Sequence, residues 1–192
     1  MKTKFSTKTL VLGAILTALV IVLQFMGAFI KLGPFSISLV LVPIVIGAAT
    51  CGAAIGAWLG LAFGMVVLLS GDAAAFLAVN PAGTIITVLL KGIACGYITG
   101  LIYKAISKHN QYLGVITSAL VCPIVNTGIF LLGCFFFFMG TIAEWAAAFG
   151  FGDDVIKYMI FVLVGANFLF ELITNIVLAP IIIRLLNIRK VN

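Results

Sequence analysis

Apolar residues fill most of the chain, and polar ones fall in short clusters that cut it into stretches of roughly bilayer length. A helix crossing the hydrocarbon core needs about 20 mostly apolar residues. By that measure the pattern predicts six spans, at residues 9–30, 36–51, 53–70, 81–104, 114–140 and 157–187. The stretch Ser36 to Ser70 carries no charge. It reads as two short helices turning near Gly52, or as one helix plus a re-entrant piece. The expected fold is all-α: a compact single bundle of six transmembrane helices, with residues 1–192 forming one membrane domain.

Composition agrees with this pattern. Of 192 residues, 64% are hydrophobic and 8% charged, too few polar groups to clothe a soluble core. The first apolar stretch exceeds a signal-peptide core and lacks a cleavage-type ending, so it reads as a retained helix. The charges then set orientation. Lys2, Lys4 and Lys8 precede the first span, Lys104 and Lys108 follow the fourth, and Arg184, Arg189 and Lys190 close the chain. Six spans put all of them on one side, which the positive-inside rule makes the cytoplasm, with both termini there. Lys31, Asp72, Glu144, Asp153, Asp154 and Lys157 fall outside. The net charge of +6 is not arranged as a basic stripe with exposed aromatics, so nucleic acid is not an expected partner.

Small residues recur at helical spacing. Gly52, Gly56, Gly60 and Gly64 form one row and Gly92, Gly96 and Gly100 a second; Ala14 and Ala18 make a shorter pair. Such rows let backbones approach closely inside a membrane. Cys51, Cys95, Cys122 and Cys134 lie in apolar stretches without CxxC spacing, and the single histidine, His109, lies outside the spans. They read as packing residues, with no metal and no cofactor expected.

The polar residues within spans converge. Asn80, Thr84, Thr87 and Lys91 share one face of the fourth span, and Asn167, Glu171 and Asn175 one face of the sixth; Asn126 and Thr127 follow Pro123 on the fifth. At about 1.5 Å per residue, Lys91 and Asn167 lie ~15 Å below the outer surface and Asn126 ~20 Å. Gln24 adds an amide nearer that surface. Polar groups in hydrocarbon must face each other, water or a ligand. A Lys91–Glu171 ion pair with interhelical hydrogen bonds is one outcome; a cavity for a polar organic molecule is the other. Asp72 and Phe76 are placed to form a lid or rim, and Trp145 on the external stretch 141–156 is either part of that rim or an interfacial anchor.

Enzyme signatures do not survive inspection. Gly150, Gly152 and Asp153 spell GxGD, but no second aspartate occupies a membrane helix to share a proton with Asp153. There is no GxxxxGK(S/T) loop, no HExxH and no Ser/His pairing.

The order of features resembles the substrate-binding S component of energy-coupling factor (ECF) vitamin transporters. The residues that carry the likeness are Ala14 to Ala18 after a basic N-terminus, Phe35 to Gly47, Gly56 to Gly64, Leu90 to Tyr103, and Asn126 to Phe130. The resemblance implies a multi-pass protein of a bacterial plasma membrane, not an enzyme. It would capture a water-soluble vitamin from outside and dock onto a transmembrane coupling subunit with two ATPase subunits. It maps the coupling contact to Ala14 and Ala18, and the pocket to the outer part of helices four to six. Lys91 alone suits a carboxylate such as pantothenate. A Lys91–Glu171 pair would suit neutral riboflavin equally well, and a cavity-facing Glu171 would suit an amine. Two other functions fit the same residues: a proton-coupled secondary transporter using Glu171, and a structural subunit using the glycine rows as its interface.

Overall fold

The computed structural model describes residues 6–28, 31–32, 35–36 and 39–191. Lys2, Lys4 and the expected span residues 29–30 and 37–38 lie outside the described residues, as do the side chains of Lys31, Arg189 and Lys190. Helix α1 is Thr7–Ala28, followed by a small antiparallel hairpin, β1 Lys31–Leu32 and β2 Phe35–Ser36. Then come α2 Leu41–Cys51, α3 Ala53–Leu69, α4 Ala74–Val79, α5 Pro81–Ile106, α6 Gln111–Phe137, α7 Met139–Ala148 and α8 Val155–Lys157. A π-helical stretch, Tyr158–Gly165, runs on into α9, Ala166–Val191. Among the described residues, four helices are long and apolar enough to cross a membrane: Thr7–Ala28, Pro81–Ile106, Gln111–Phe137 and the continuous Val155–Arg184.

The expected second span needs correction. Phe35 and Ser36 pair in the hairpin, and the helix starts only at Leu41. Pro43 explains the late start. In a helix beginning at residue 36 it would sit in the interior, at a cost of about 3 kcal/mol. Starting at Leu41 leaves it in the first turn, where its missing N–H has no intrahelical partner to lose. The 11 residues of α2 rise about 16 Å, half the hydrocarbon core, and the 17 of α3 about 25 Å. Gly52, at φ 93°, turns α2 into α3, the first of the two arrangements the uncharged stretch allowed. This turn lies deep: Cys51 Sγ is 4.0 Å from the carbonyl of Thr9 in the first turn of α1. Helix α3 climbs back, so that Asp72 meets Gln24, fifteen residues further along α1.

The fifth span is shifted as well. Asn110 caps α6, its side chain accepting from the amides of Tyr112 and Leu113 at 2.8 and 3.2 Å, so the helix starts before the expected residue 114. It ends at Phe137 rather than 140; Phe138 breaks it, and half of the external stretch is the helix α7.

Helices α3 and α5 form the tightest seam. A Cβ on Gly56 or Gly96 would collide with the other's carbonyl oxygen, and Gly60 and Gly92 are related in the same way. Gly64 continues the row, with its Cβ position 2.9 Å from the carbonyl of Val88. Around the seam, α1, α2, α6 and α9 contribute Leu16, Ile44, Ala119 and Ile182 to one buried apolar cluster. A second cluster, including Phe76, Phe130, Phe138, Ile142 and Leu163, joins α4, α6, α7 and the π-helical stretch. The polar cavity lies between the two.

Candidate functional site

Helices α1, α3, α4, α5, α6 and α9 and the turn at Asp72–Ala73 enclose a cavity with ≈ 560 Å³ of space free of protein atoms, of which ≈ 50 Å³ can hold the centres of water molecules. Thr84, Thr87, Lys91, Asn167 and Glu171 all line it, as do Asp72 and Phe76. Asn126 and Thr127 line an adjoining chamber that shares Lys91, Phe130 and Asn167 with the first. The helical spacing thus gathers residues from three separated helices, as the stripes on the sequence predicted. Asn80 does not line the cavity. It precedes Pro81, and its side chain accepts from the Gly83 amide at 2.9 Å as the N-cap of α5.

Glu171 is 1% exposed and held by amides. Asn167 Nδ2 donates to Oε1 at 3.1 Å and Asn126 Nδ2 to Oε2 at 3.4 Å. Asn175 Nδ2 donates to the backbone carbonyl of Glu171 at 2.9 Å. Lys91 has a different environment. No carboxylate lies within 4.0 Å of its ammonium among the described residues, so the Lys91–Glu171 ion pair does not form. Its Nζ instead sits 5.4 Å from the ring centre of Phe63 and 5.3 Å from that of Phe130, cation–π distances that stabilise the charge without supplying an acceptor.

Among the described residues, several acceptors in the walls of the two chambers are also unused. Asn126 Oδ1, Asn167 Oδ1, Gln24 Oε1 and Thr87 Oγ1 are buried without a hydrogen-bond partner. Such groups cost roughly 1–3 kcal/mol each when left unpaired, so a ligand carrying donors would relieve them. The set therefore offers a cation and several acceptors to one guest. Among the described residues no group of His, Cys, Asp and Glu could hold a metal ion.

An aromatic roof lies over the α4–α7 end of the cavity. Phe76 on α4 packs edge-on against Phe130, Phe138 and Trp145, at centroid distances of 5.6, 5.0 and 5.4 Å. Trp145 is half-buried there and borders an outer pocket with Asp72 and Phe76. Gln24 Nε2 donates to Asp72 Oδ2 at 2.9 Å, tying α1 to the same rim.

The cavity walls Phe63, Phe130 and Phe138 were missing from the sequence-derived site. Phe130 follows Asn126 by one turn and could have been placed on the same face. Phe63 carried no polar neighbour to mark it. On the opposite flank, Ala14 and Ala18 are exposed on α1 and line a shallow groove with Ile55 and Trp58, whose Nε1 donates to Thr17 Oγ1 at 3.1 Å.

A family model described as "ECF transporter, substrate-specific component" matches residues 8–185. No curated protein and no solved structure matches the chain.

Proposed function

The chain belongs to the substrate-specific components of ECF transporters, which bind substrate and are not enzymes, and from that premise we propose that it captures a carboxylate-bearing vitamin from outside the cell. The observation that carries the reading is the Lys91 ammonium, set between two rings with no carboxylate within 4.0 Å among the described residues, while Glu171 accepts from Asn126 and Asn167. A Lys91–Glu171 contact would have occupied the ammonium and made neutral riboflavin equally suitable. Its absence favours an anion that also donates hydrogen bonds, and pantothenate, with its carboxylate, amide and hydroxyls, has that chemistry.

Substrate then passes through partners: a transmembrane coupling subunit bound along Ala14 and Ala18, and two ATPase subunits that supply the energy. The groove beside Trp58 supports this assignment, since it presents small side chains on an otherwise unpartnered flank of α1. We place six crossings in a bacterial plasma membrane, with both termini cytoplasmic. The deep Gly52 turn and the return of α3 to the level of Gln24 support α2 and α3 as parts of two successive crossings. Lys8, Lys104, Lys108 and Arg184 then share the cytoplasmic side.

The small room inside the cavity means that the roof must open to admit a vitamin. Phe76 and Trp145 are the moving parts, as a rim held by ring contacts rather than by the seam. A structural role for the glycine rows as an interface to other subunits finds no support, because Gly56, Gly60, Gly92 and Gly96 are consumed between α3 and α5. Native mass spectrometry of the purified chain, incubated with pantothenate, riboflavin and other B vitamins, tests the reading. Retention of a carboxylate vitamin is the expected result. Retention of a neutral or cationic one alone would overturn the assignment to Lys91.

A further inference from the structure

The cavity adjoins a groove on the side of the bundle. Its second chamber, ≈ 300 Å³, runs from Lys91 and Asn126 to Thr127 and Val164. Those last two residues also line a groove of ≈ 840 Å³ on the outer flank of the bundle, between α6 and the π-helical stretch. The groove is otherwise apolar, with Ile124, Leu131 and Phe161 among its walls. Gly128 stands beside the gap, and a Cβ there would meet nothing within 4 Å. Thr127 and Val164 therefore stand between the chamber at Lys91 and this groove, lining both.

Resting on the anion seat at Lys91 read above, we infer that the site also accepts an amphipathic anion, whose charged head sits at Lys91 and whose apolar part passes between Thr127 and Val164 into that groove. Two ends of the path ask for different chemistry. At the inner end Lys91 lacks a carboxylate, and Asn126, 4% exposed, has an unpartnered Oδ1. At the outer end only the Thr127 hydroxyl interrupts an apolar wall. A bilayer acyl chain would fill the groove but offer nothing to Lys91 and Asn126. A small polar vitamin would satisfy the head and leave the gap empty. A molecule with an anionic head and a hydrocarbon or ring-bearing tail satisfies both.

Photolabelling of the full chain in nanodiscs tests this. One probe is a short carboxylic acid with its diazirine beside the carboxylate; the other is a decyl-length acid with the diazirine at its far end. Peptide mapping is expected to place the short probe on residues 124–130 and the long probe on residues 160–169. Lys91→Gln is expected to remove both labels. Gly128→Leu puts a side chain beside the gap, where a Cβ meets nothing within 4 Å, and is expected to cut the long-probe label ~10-fold or more, since its tail methylenes lose their site, while sparing the short one. If the long probe marks 160–169 equally in Lys91→Gln, it is partitioning as bilayer lipid and the lateral site is refuted, while a Lys91-dependent short label keeps the anion site. If the short probe ignores Lys91, the anion site fails and this inference fails with it.

Discussion

The two flanks of α5 and α6 are built to opposite specifications. On one side α3 and α5 meet glycine to carbonyl, so close that no side chain fits between Gly60 and Gly92. On the other, α6 and the π-helical stretch stand apart around Gly128, beside which a Cβ finds open space. The first flank holds Lys91 and Thr87 at fixed depth. The second, with the aromatic roof, leaves room for something else. In a membrane, where lipid tails supply no drive for helix association, rigidity comes from such close backbone contact, and a gap marks a place where contact was not selected.

The contrast between the two glycines gives the largest expected effect. Gly60→Ala should destabilise the chain by ~3 kcal/mol or more, because neither backbone can yield without moving α5. Gly128→Ala should be neutral or stabilising by ~0.5–1 kcal/mol, the helix-propensity gain alone. Thermal unfolding in one detergent checks both; similar losses would erase the distinction between the flanks.

Next comes the amide clamp. Asn126→Leu with Asn167→Leu removes both donors to Glu171, and should lower ligand affinity ~30-fold or more while the seam keeps the bundle assembled. Unchanged affinity, measured by calorimetry, would move the site elsewhere.

On the α1 flank, Ala14→Trp should abolish uptake in cells expressing all subunits while leaving ligand affinity within about 2-fold, within the small effects expected of exposed substitutions away from a site. Lost binding in that variant would contradict the separation of coupling from capture.

The smallest effect belongs to the roof. Trp145→Ala removes one edge-on contact to Phe76, worth ~1 kcal/mol, and should speed ligand release about 5-fold. Stopped-flow dissociation reads it directly.

The rigid flank was legible in the sequence and the open one was not. Glycines every fourth residue in an apolar span have one physical use, and α3 and α5 put it into effect. Likewise Lys91, Glu171, Asn126 and Asn167 announce themselves, since each is costly in hydrocarbon and helical spacing fixes its face. Phe63 and Phe138 do not, because phenylalanine suits lipid, core and cavity alike, and the chain has sixteen. Asn80 misled for a local reason: its position before Pro81 made capping the stronger demand. The late start of α2 was encoded in Pro43, but hydropathy alone overlooked it. The π-helical stretch has no local signature in Tyr158–Gly165, an unbroken apolar run.

The most direct measurement is a calorimetric titration of the purified chain with pantothenate, comparing wild type with Lys91→Gln. Losing one partner of a buried charge pair costs about 2 kcal/mol or more, so affinity should fall ~30-fold or more in the variant, with its melting temperature kept near wild type. Equal affinity in the two proteins would contradict an anion seated at Lys91.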